Sequence, residues 1–258
     1  MTDKEHIIVV ENLVKKFGSF VANDHLNFFV KKGEIFGFLG ANGAGKTTAI
    51  KILCGLWKPT SGMIKVAGFD VYRETEKIKR NIGYMSQKFS LYDDMTIGEN
   101  FTFFGGIYGL TSKVIRERMT FFLKKLGIED YKDRVIQSLP LGWKQKLAFS
   151  IAVMHRPAIV FLDEPTSGVD PVTRRQFWDM IYETAHEGIT VFLTTHYMDE
   201  AEYCERISIM VDGRIEALDT PAELKKQFEC ESMEEVFVRL ARRYSKSSVI
   251  SHQSSVRN

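Results

Sequence analysis

The segment Gly40-Ala41-Asn42-Gly43-Ala44-Gly45-Lys46-Thr47 limits what this chain can fold into more than any other feature of its sequence. It fits G-x-x-x-x-G-K-[ST] in the setting that such a loop requires. The apolar run Ile35 to Leu39 predicts a strand before it, and helical spacing from Lys46 to Leu53, stopping at Gly55, predicts a helix after it. Glycines let successive backbone N–H groups turn inward as a nest, and the helix starting near Lys46 presents its positive dipole end to the same point. A polyphosphate fits that arrangement. Lys46 adds a compact charge for the β- and γ-phosphates, and the Thr47 hydroxyl is the expected Mg²⁺ ligand. The nucleotide contacts expected from this stretch are Gly40, Asn42, Gly43, Ala44, Gly45, Lys46, Thr47 and Thr48.

Far downstream, Ile159-Val160-Phe161-Leu162-Asp163-Glu164 reads as an apolar strand delivering two carboxylates at its C-terminal end, where α/β sheets bind ligands. Asp163 is expected to hold Mg²⁺ through water, and Glu164 to orient or deprotonate an attacking water. His196 follows the apolar run Thr190 to Thr194 and should emerge on the same edge, near the γ-phosphate.

Alternating apolar residues predict an antiparallel layer from strands at about Ile7 to Val14, Phe20 to Val30 and Met63 to Val66, the last after the turn Pro59-Thr60-Ser61-Gly62. From Phe89 to His155 the spacing becomes helical, with apolar positions in Phe101 to Tyr108, Val114 to Leu126 and Lys144 to Met154. This is the pattern of a helical lobe, about 89–155, inserted into an α/β core. Buried-type strands Ala158 to Leu162 and Thr190 to Thr194, with a helix around Val172 to Glu187 between them, fit a parallel sheet with a crossover helix. A strand at Arg206 to Val211 turns at Asp212-Gly213 into Arg214 to Ala217, and amphipathic segments Ala222 to Phe228 and Met233 to Arg242 follow. The fold class expected is thus an α/β P-loop NTPase core with an antiparallel β layer and an inserted all-helical lobe. The domain is expected over 1–243, with 244–258, rich in Ser, as a flexible C-terminal tail.

Composition excludes more than it selects. With 35 Lys and Arg against 33 Asp and Glu, scattered among one another, charge nominates neither a nucleic acid nor a membrane surface. The longest uncharged stretch, Asn100 to Ser112, is about 13 residues and contains three glycines, against roughly 20 apolar residues needed to cross a bilayer. No signal-peptide core marks Met1 to Glu11, so a cytosolic chain is expected. Cys54, Cys204 and Cys230 are odd in number and form no C-x-x-C, which reads as reduced thiols.

Together these motifs resemble an ATP-binding cassette (ABC) subunit, the nucleotide-driven motor of a membrane transporter, from about Ile7 to Arg242. The resemblance implies that Phe17, in Lys15-Lys16-Phe17-Gly18, stacks on adenine. It implies that Gln87 contacts Mg²⁺ and the water, so that Thr47, Gln87 and Asp163 form the metal set, with ATP and Mg²⁺ as cofactors. Glu164, His196 and Lys46 become the catalytic residues, with His196 as the switch histidine. Ser167-Gly168-Val169-Asp170 matches the loop that crosses between two cassettes, with Asp170 as its acid. Phe89-Ser90-Leu91-Tyr92-Asp93-Asp94-Met95-Thr96, Val169-Asp170-Pro171 and Tyr197-Met198-Asp199-Glu200-Ala201-Glu202 resemble the type-2 exporter branch, which moves drugs, polysaccharides or lipids.

One motif departs from the family. Where a signature loop usually reads Leu-Ser-Gly-Gly, this chain has Leu139-Pro140-Leu141-Gly142-Trp143. The resemblance implies that this loop reaches the γ-phosphate held by a second cassette, and Pro140 offers neither hydroxyl nor N–H for that purpose. The expected function is an ATP-binding and ATP-hydrolysing subunit of an exporter. It would sit peripherally at the cytoplasmic face of the membrane and pair with an integral membrane permease subunit and a second, identical or paralogous, cassette. The permease would dock near Phe89 to Thr96 and Phe101 to Tyr108. Alternatives are a soluble cassette ATPase acting on ribosomes or nucleic acid, and an ATP-gated interaction module with little hydrolysis.

Overall fold

The computed structural model describes residues 5–87 and 91–242. The tail expected at 244–258, and Phe89 and Ser90 of the expected docking stretch, lie outside them.

Two sheets share one aromatic core. Strands β1 (His6–Phe17), β2 (Phe20–Lys31), β4 (Ser61–Val66) and β5 (Phe69–Asp70) form an antiparallel sheet in the order β2-β1-β4-β5. The second sheet runs β10-β9-β3-β8-β7-β6, built from β3 (Ile35–Gly40), β6 (Ile82–Met85), β7 (Ile159–Asp163), β8 (Thr190–Thr195), β9 (Arg206–Val211) and β10 (Arg214–Asp219). β9, β3, β8, β7 and β6 are parallel, and only β10 runs back. β3 lies between strands of the first sheet in sequence but sits inside the second, buried along its whole length like β7 and β8. Such strands must read as continuous apolar runs because helices or another sheet cover both faces. Phe28 of β2 meets Phe38 at 5.0 Å edge-on, and Phe38, Phe161 and Phe192 continue the cluster at 4.8 and 5.4 Å between centroids. This aromatic block locks the antiparallel layer beneath the strands that carry the phosphate loop.

The parallel register aligns the strand ends. Leu39 pairs with Thr195 and Asp163 with Thr194, so the loops leaving β3, β7 and β8 emerge on one edge. This is the edge that the sequence assigns to Lys46, Glu164 and His196.

Helices α1 (Lys46–Leu53) and α6 (Pro171–His186) follow β3 and β7. Between β6 and β7 the chain forms α3 (Ile97–Ile107), α4 (Ser112–Leu126) and α5 (Leu141–Val153), with no named strand among the described residues. Thr96 and Glu99 form a reciprocal capping box at the start of α3, Thr111 caps α4, and Gly127 in the left-handed region ends it. Asn100, fully buried in α3, ties the preceding segment to it: its amide donates to the Tyr92 and Thr96 carbonyls and accepts from the Tyr92 N–H. After β10, α7 (Pro221–Gln227) and helical residues 233–242 bury Leu224, Val236 and Leu240 against Leu39 and Ile207.

The stretch between Val66 and Phe89, for which the sequence patterns predict no element, holds β5, α2 (Thr75–Asn81) and β6. α2 buries only Ile78 and so shows no apolar stripe, and β6 is four residues long with Gly83 among them. β6 matters for the site, because Gln87 lies two residues beyond its end. No described helix is long and apolar enough to cross a membrane.

Candidate active site

The phosphate loop is shaped by close backbone approach. Gly45 adopts φ +100°, and a Cβ there would sit 2.3 Å from the Ala22 carbonyl and 2.8 Å from the Asn23 amide nitrogen. Only glycine fits, and Asn23 uses the closeness to donate to the Gly45 carbonyl at 3.1 Å. Gly45 is the N-cap of α1 and supplies no side-chain cap, so the first-turn N–H groups are left to a ligand. An open pocket at this point is lined by Phe20, Ala22, Asn42, Gly43, Gly45, Lys46, Thr47, Thr48, Gln87 and Glu164.

Lys46 is 5% exposed and donates to the Gly40 and Ala41 carbonyls at 2.7 and 3.1 Å. Its ammonium also lies 3.6 Å from Glu164 Oε1. Burial pushes the Lys46 pKa below the usual lysine range, opposed by the Glu164 carboxylate beside it.

Asp163 and Glu164 diverge at the end of β7. Asp163 accepts from the Thr194 hydroxyl at 2.6 Å and the Thr47 hydroxyl at 3.2 Å. Burial raises its carboxyl above the ordinary aspartate value, while the Thr194 and Thr47 bonds pull the other way. Glu164 takes φ +51°, a region uncommon for side-chain-bearing residues, and is held there by its N–H bonding the Thr194 carbonyl and hydroxyl at 3.2 and 3.0 Å. The turn aims the two carboxylates at different partners. Oε2 of Glu164 accepts from the Gln87 amide at 2.9 Å and meets His196 Nδ1 at 3.1 Å. The structure thus brings Lys46, Thr47, Gln87, Asp163, Glu164 and His196 together.

Phe17 does not line the pocket. It is 45% exposed at the end of β1, edge-on to Trp57 at 5.3 Å between centroids, with the Lys15 ammonium 4.7 Å from its ring centre. Phe20, across the two-residue turn and 62% exposed, lines the pocket instead. No motif singles it out, since it begins an amphipathic strand. Thr194 was equally hidden, because a threonine inside an apolar run reads as strand filling.

The Leu139 to Trp143 segment forms the start of α5, with Pro140 as an N-cap lacking any side-chain cap. Leu139 is buried and Leu141 exposed. Gly142 lies so close to α6 that a Cβ would stand 2.4 Å from Thr173 Cγ2. Asp170 caps α6, accepting from the Val172 and Thr173 N–H groups and the Thr173 hydroxyl, and these bonds hold its carboxyl below the usual range.

The chemistry of the oxygen donors fits Mg²⁺. Thr47 and Asp163 offer a hydroxyl and a carboxylate, hard ligands converging on the mouth of a loop shaped for phosphates, with the Gln87 amide nearby.

Comparison with known proteins agrees with this geometry. A family profile described as ABC transporter matches residues 23–167, more than half of the chain. The chain belongs to the ABC transporter ATP-binding family. It is 46% identical over 250 residues to a probable multidrug ABC transporter ATP-binding protein, YbhF, of Escherichia coli K12, covering 95% of this chain and 43% of that protein. The cassette therefore spans less than half the length of that relative. Among solved structures, the ATP-binding subunit of an ABC transporter superposes with a TM-score of 0.83 at 28% identity, covering 91% of this chain and 99% of the other. A dimeric ATP-binding cassette in a post-hydrolysis state, bound to ADP and Pi, matches with a TM-score of 0.75 at 27% identity over 83% of this chain and 98% of that one. The cassette's α/β fold is the one that the sequence patterns predict.

Proposed function

We propose that this cassette is the ATP-binding and ATP-hydrolysing subunit of a membrane exporter. It would act at the cytoplasmic face of the membrane, paired with a second cassette and a separate permease. The observation that carries the reading is the buried Glu164 carboxylate, held between Lys46, Gln87 and His196 on the rim of the phosphate loop.

In this proposal the backbone N–H groups from Gly43 to Thr48 and the Lys46 ammonium take the β- and γ-phosphates, and Lys46 exchanges its carbonyl partners for phosphate oxygens. Thr47, Asp163 and Gln87 would hold Mg²⁺, which would supply charge neutralisation at the phosphates. Glu164 orients the attacking water and accepts its proton; the Gln87 and His196 contacts fix the direction in which the carboxylate points. His196, on the loop after β8, completes the contact surface for the γ-phosphate. Phe17, paired with Phe20 across the turn, is proposed to reach adenine, and Leu139 to Trp143 with Asp170 to face a second cassette. The post-hydrolysis dimer among its structural relatives supports the pairing, and the multidrug transporter assignment of YbhF supports the export reading.

Phosphate release is the deciding measurement. The purified chain should turn over ATP with Mg²⁺, and Glu164→Gln should keep nucleotide binding while losing at least about a hundredfold in rate. Binding without turnover above that variant would instead favour an ATP-gated interaction module, a reading for which the missing hydroxyl at Pro140 speaks.

A further inference from the structure

The ladder between β7 and β8 ends at Asp163 and Thr194. Beyond it the two chains part, one carrying Glu164, Pro165 and Thr166, the other Thr195, His196 and Tyr197. The Glu164 N–H still bonds Thr194, and past that bond the spacing of the two loops falls to side chains.

Glu200 enters this gap. It lies in the short 3-10 turn Asp199–Tyr203, and its carboxylate is fully buried. The Thr166 hydroxyl donates to Oε1 in a short contact, and the Thr195 hydroxyl donates to Oε2 at 2.5 Å. One carboxylate therefore spans both loops, one oxygen to each. The Thr195 hydroxyl is doubly engaged, since it also accepts from the Tyr197 N–H at 3.0 Å and so fixes the turn that carries His196.

Arg174 of α6 supplies the balancing charge. Its Nε stands 3.8 Å from Glu200 Oε1, and Nη1 binds Asp199 at 3.2 Å. The guanidinium also covers the Tyr197 ring at 4.1 Å, and that ring lies 4.2 Å from the His196 imidazole. A buried carboxylate is costly to keep unless it is hydrogen-bonded and paired, and two hydroxyls need no carboxylate for packing.

We propose that Glu200 is a positioning residue for the reaction assigned above: by bridging Thr166 and Thr195 it sets the separation of the loops that carry Glu164 and His196. The inference rests on the proposed hydrolysis only for its kinetic consequence. Glu200 does not line the pocket at the phosphate loop; it acts through the two threonines. Because small displacements of catalytic groups cost orders of magnitude in rate, its loss falls on kcat and leaves nucleotide affinity intact.

The test uses the full chain and compares Glu200→Ala with Glu200→Gln, whose amide can still accept from one threonine and donate to the other. Glu200→Ala should lower kcat at least about tenfold with KM for ATP within about twofold, and Glu200→Gln should recover most of the rate. In a His196→Ala background, Glu200→Ala should cost almost nothing further, because the group it positions is gone. Unchanged kcat, or an equal loss in both backgrounds, would overturn the proposal. A second measurement is independent of turnover: the ring proton–carbon NMR signals of His196, identified by their loss in His196→Ala, should move in Glu200→Ala and stay near their places in Glu200→Gln. Signals that do not move in Glu200→Ala overturn the positioning role even if the chain proves not to hydrolyse ATP, an outcome that would separately remove the proposed function.

Discussion

The Lys46 ammonium lies 3.6 Å from a Glu164 carboxylate oxygen, and both side chains are almost withdrawn from solvent. The cation proposed for phosphate and the carboxylate proposed for water thus neutralise each other. Removing one partner of such a pair leaves the other buried and uncompensated, at a cost of about 3 kcal/mol. Lys46→Ala should therefore lower the unfolding free energy of the nucleotide-free chain by roughly that amount, besides abolishing ATP binding. Adding Glu164→Gln should restore much of the loss. Urea unfolding of the four proteins reads the coupling directly, and additive effects would mean that the pair contributes nothing.

Asp163 shows the opposite balance. Burial raises its folded pKa above its unfolded one, so the folded chain holds the proton more tightly. Stability then falls as pH rises from the unfolded value through the folded one, so a charge on Asp163 opposes folding. Asp163→Asn keeps an acceptor for Thr47 and Thr194 but carries no charge. It should raise the neutral-pH melting temperature while removing the Mg²⁺ dependence of nucleotide affinity. A lower melting temperature would show that the two threonine bonds outweigh the burial.

A second titration sits between the helical lobe and the sheet. The His155 ring stacks on Tyr108 at 3.6 Å, and its Nε2 bonds the Ile82 carbonyl of β6 at 3.1 Å. Burial lowers its pKa from 6.5 to about 4. The unfolded chain therefore takes up this proton first as pH falls. Stability should decline from about pH 6.5 towards pH 4, by up to about 3 kcal/mol from this group. His155→Gln, which can still donate to Ile82, should flatten that part of the stability profile. An unchanged slope would assign the acid loss to other groups.

Much of the site was legible because its chemistry is local in sequence. The phosphate loop is a contiguous motif, and Asp163, Glu164 and His196 lie at the ends of apolar runs that read as buried-type strands. The rest depends on contacts between distant segments. Thr194 bonds Asp163 from a neighbouring strand, and Glu200 reaches Thr166 from a turn for which the sequence patterns predict no element. β6 escaped detection because four residues show no period, although it delivers Gln87. Phe17 and Phe20 are equivalent aromatics on either side of a turn, and only the folded hairpin distinguishes the one that lines the pocket.

The departure at Pro140 and Leu141 gives the last prediction. Leu141 covers the loop Ser167 to Asp170, proposed to cross to a second cassette: a Cβ on Gly168 would lie 3.3 Å from Leu141 Cδ2. The next turn of α5 fastens the same loop, through Gln145 donating to the Ser167 carbonyl at 3.1 Å, and Ser167 N–H bonds back to the Glu164 carbonyl at 3.2 Å. The altered start of α5 is therefore connected to this chain's own Glu164 as well as facing outward. In a pair of identical cassettes it would lack a hydroxyl and an N–H for the opposite γ-phosphate. A hydrogen bond to a charged group contributes about 1.5–3 kcal/mol, so restoring one through Pro140→Ser with Leu141→Gly should raise turnover at least about tenfold. Phosphate release measured over a series of protein concentrations checks this, since a loop acting across an interface raises the rate only where cassettes associate. A gain independent of concentration would locate the effect in the Leu141 contact with the crossing loop, and no gain would mean that this chain's signature loop does not limit its own turnover.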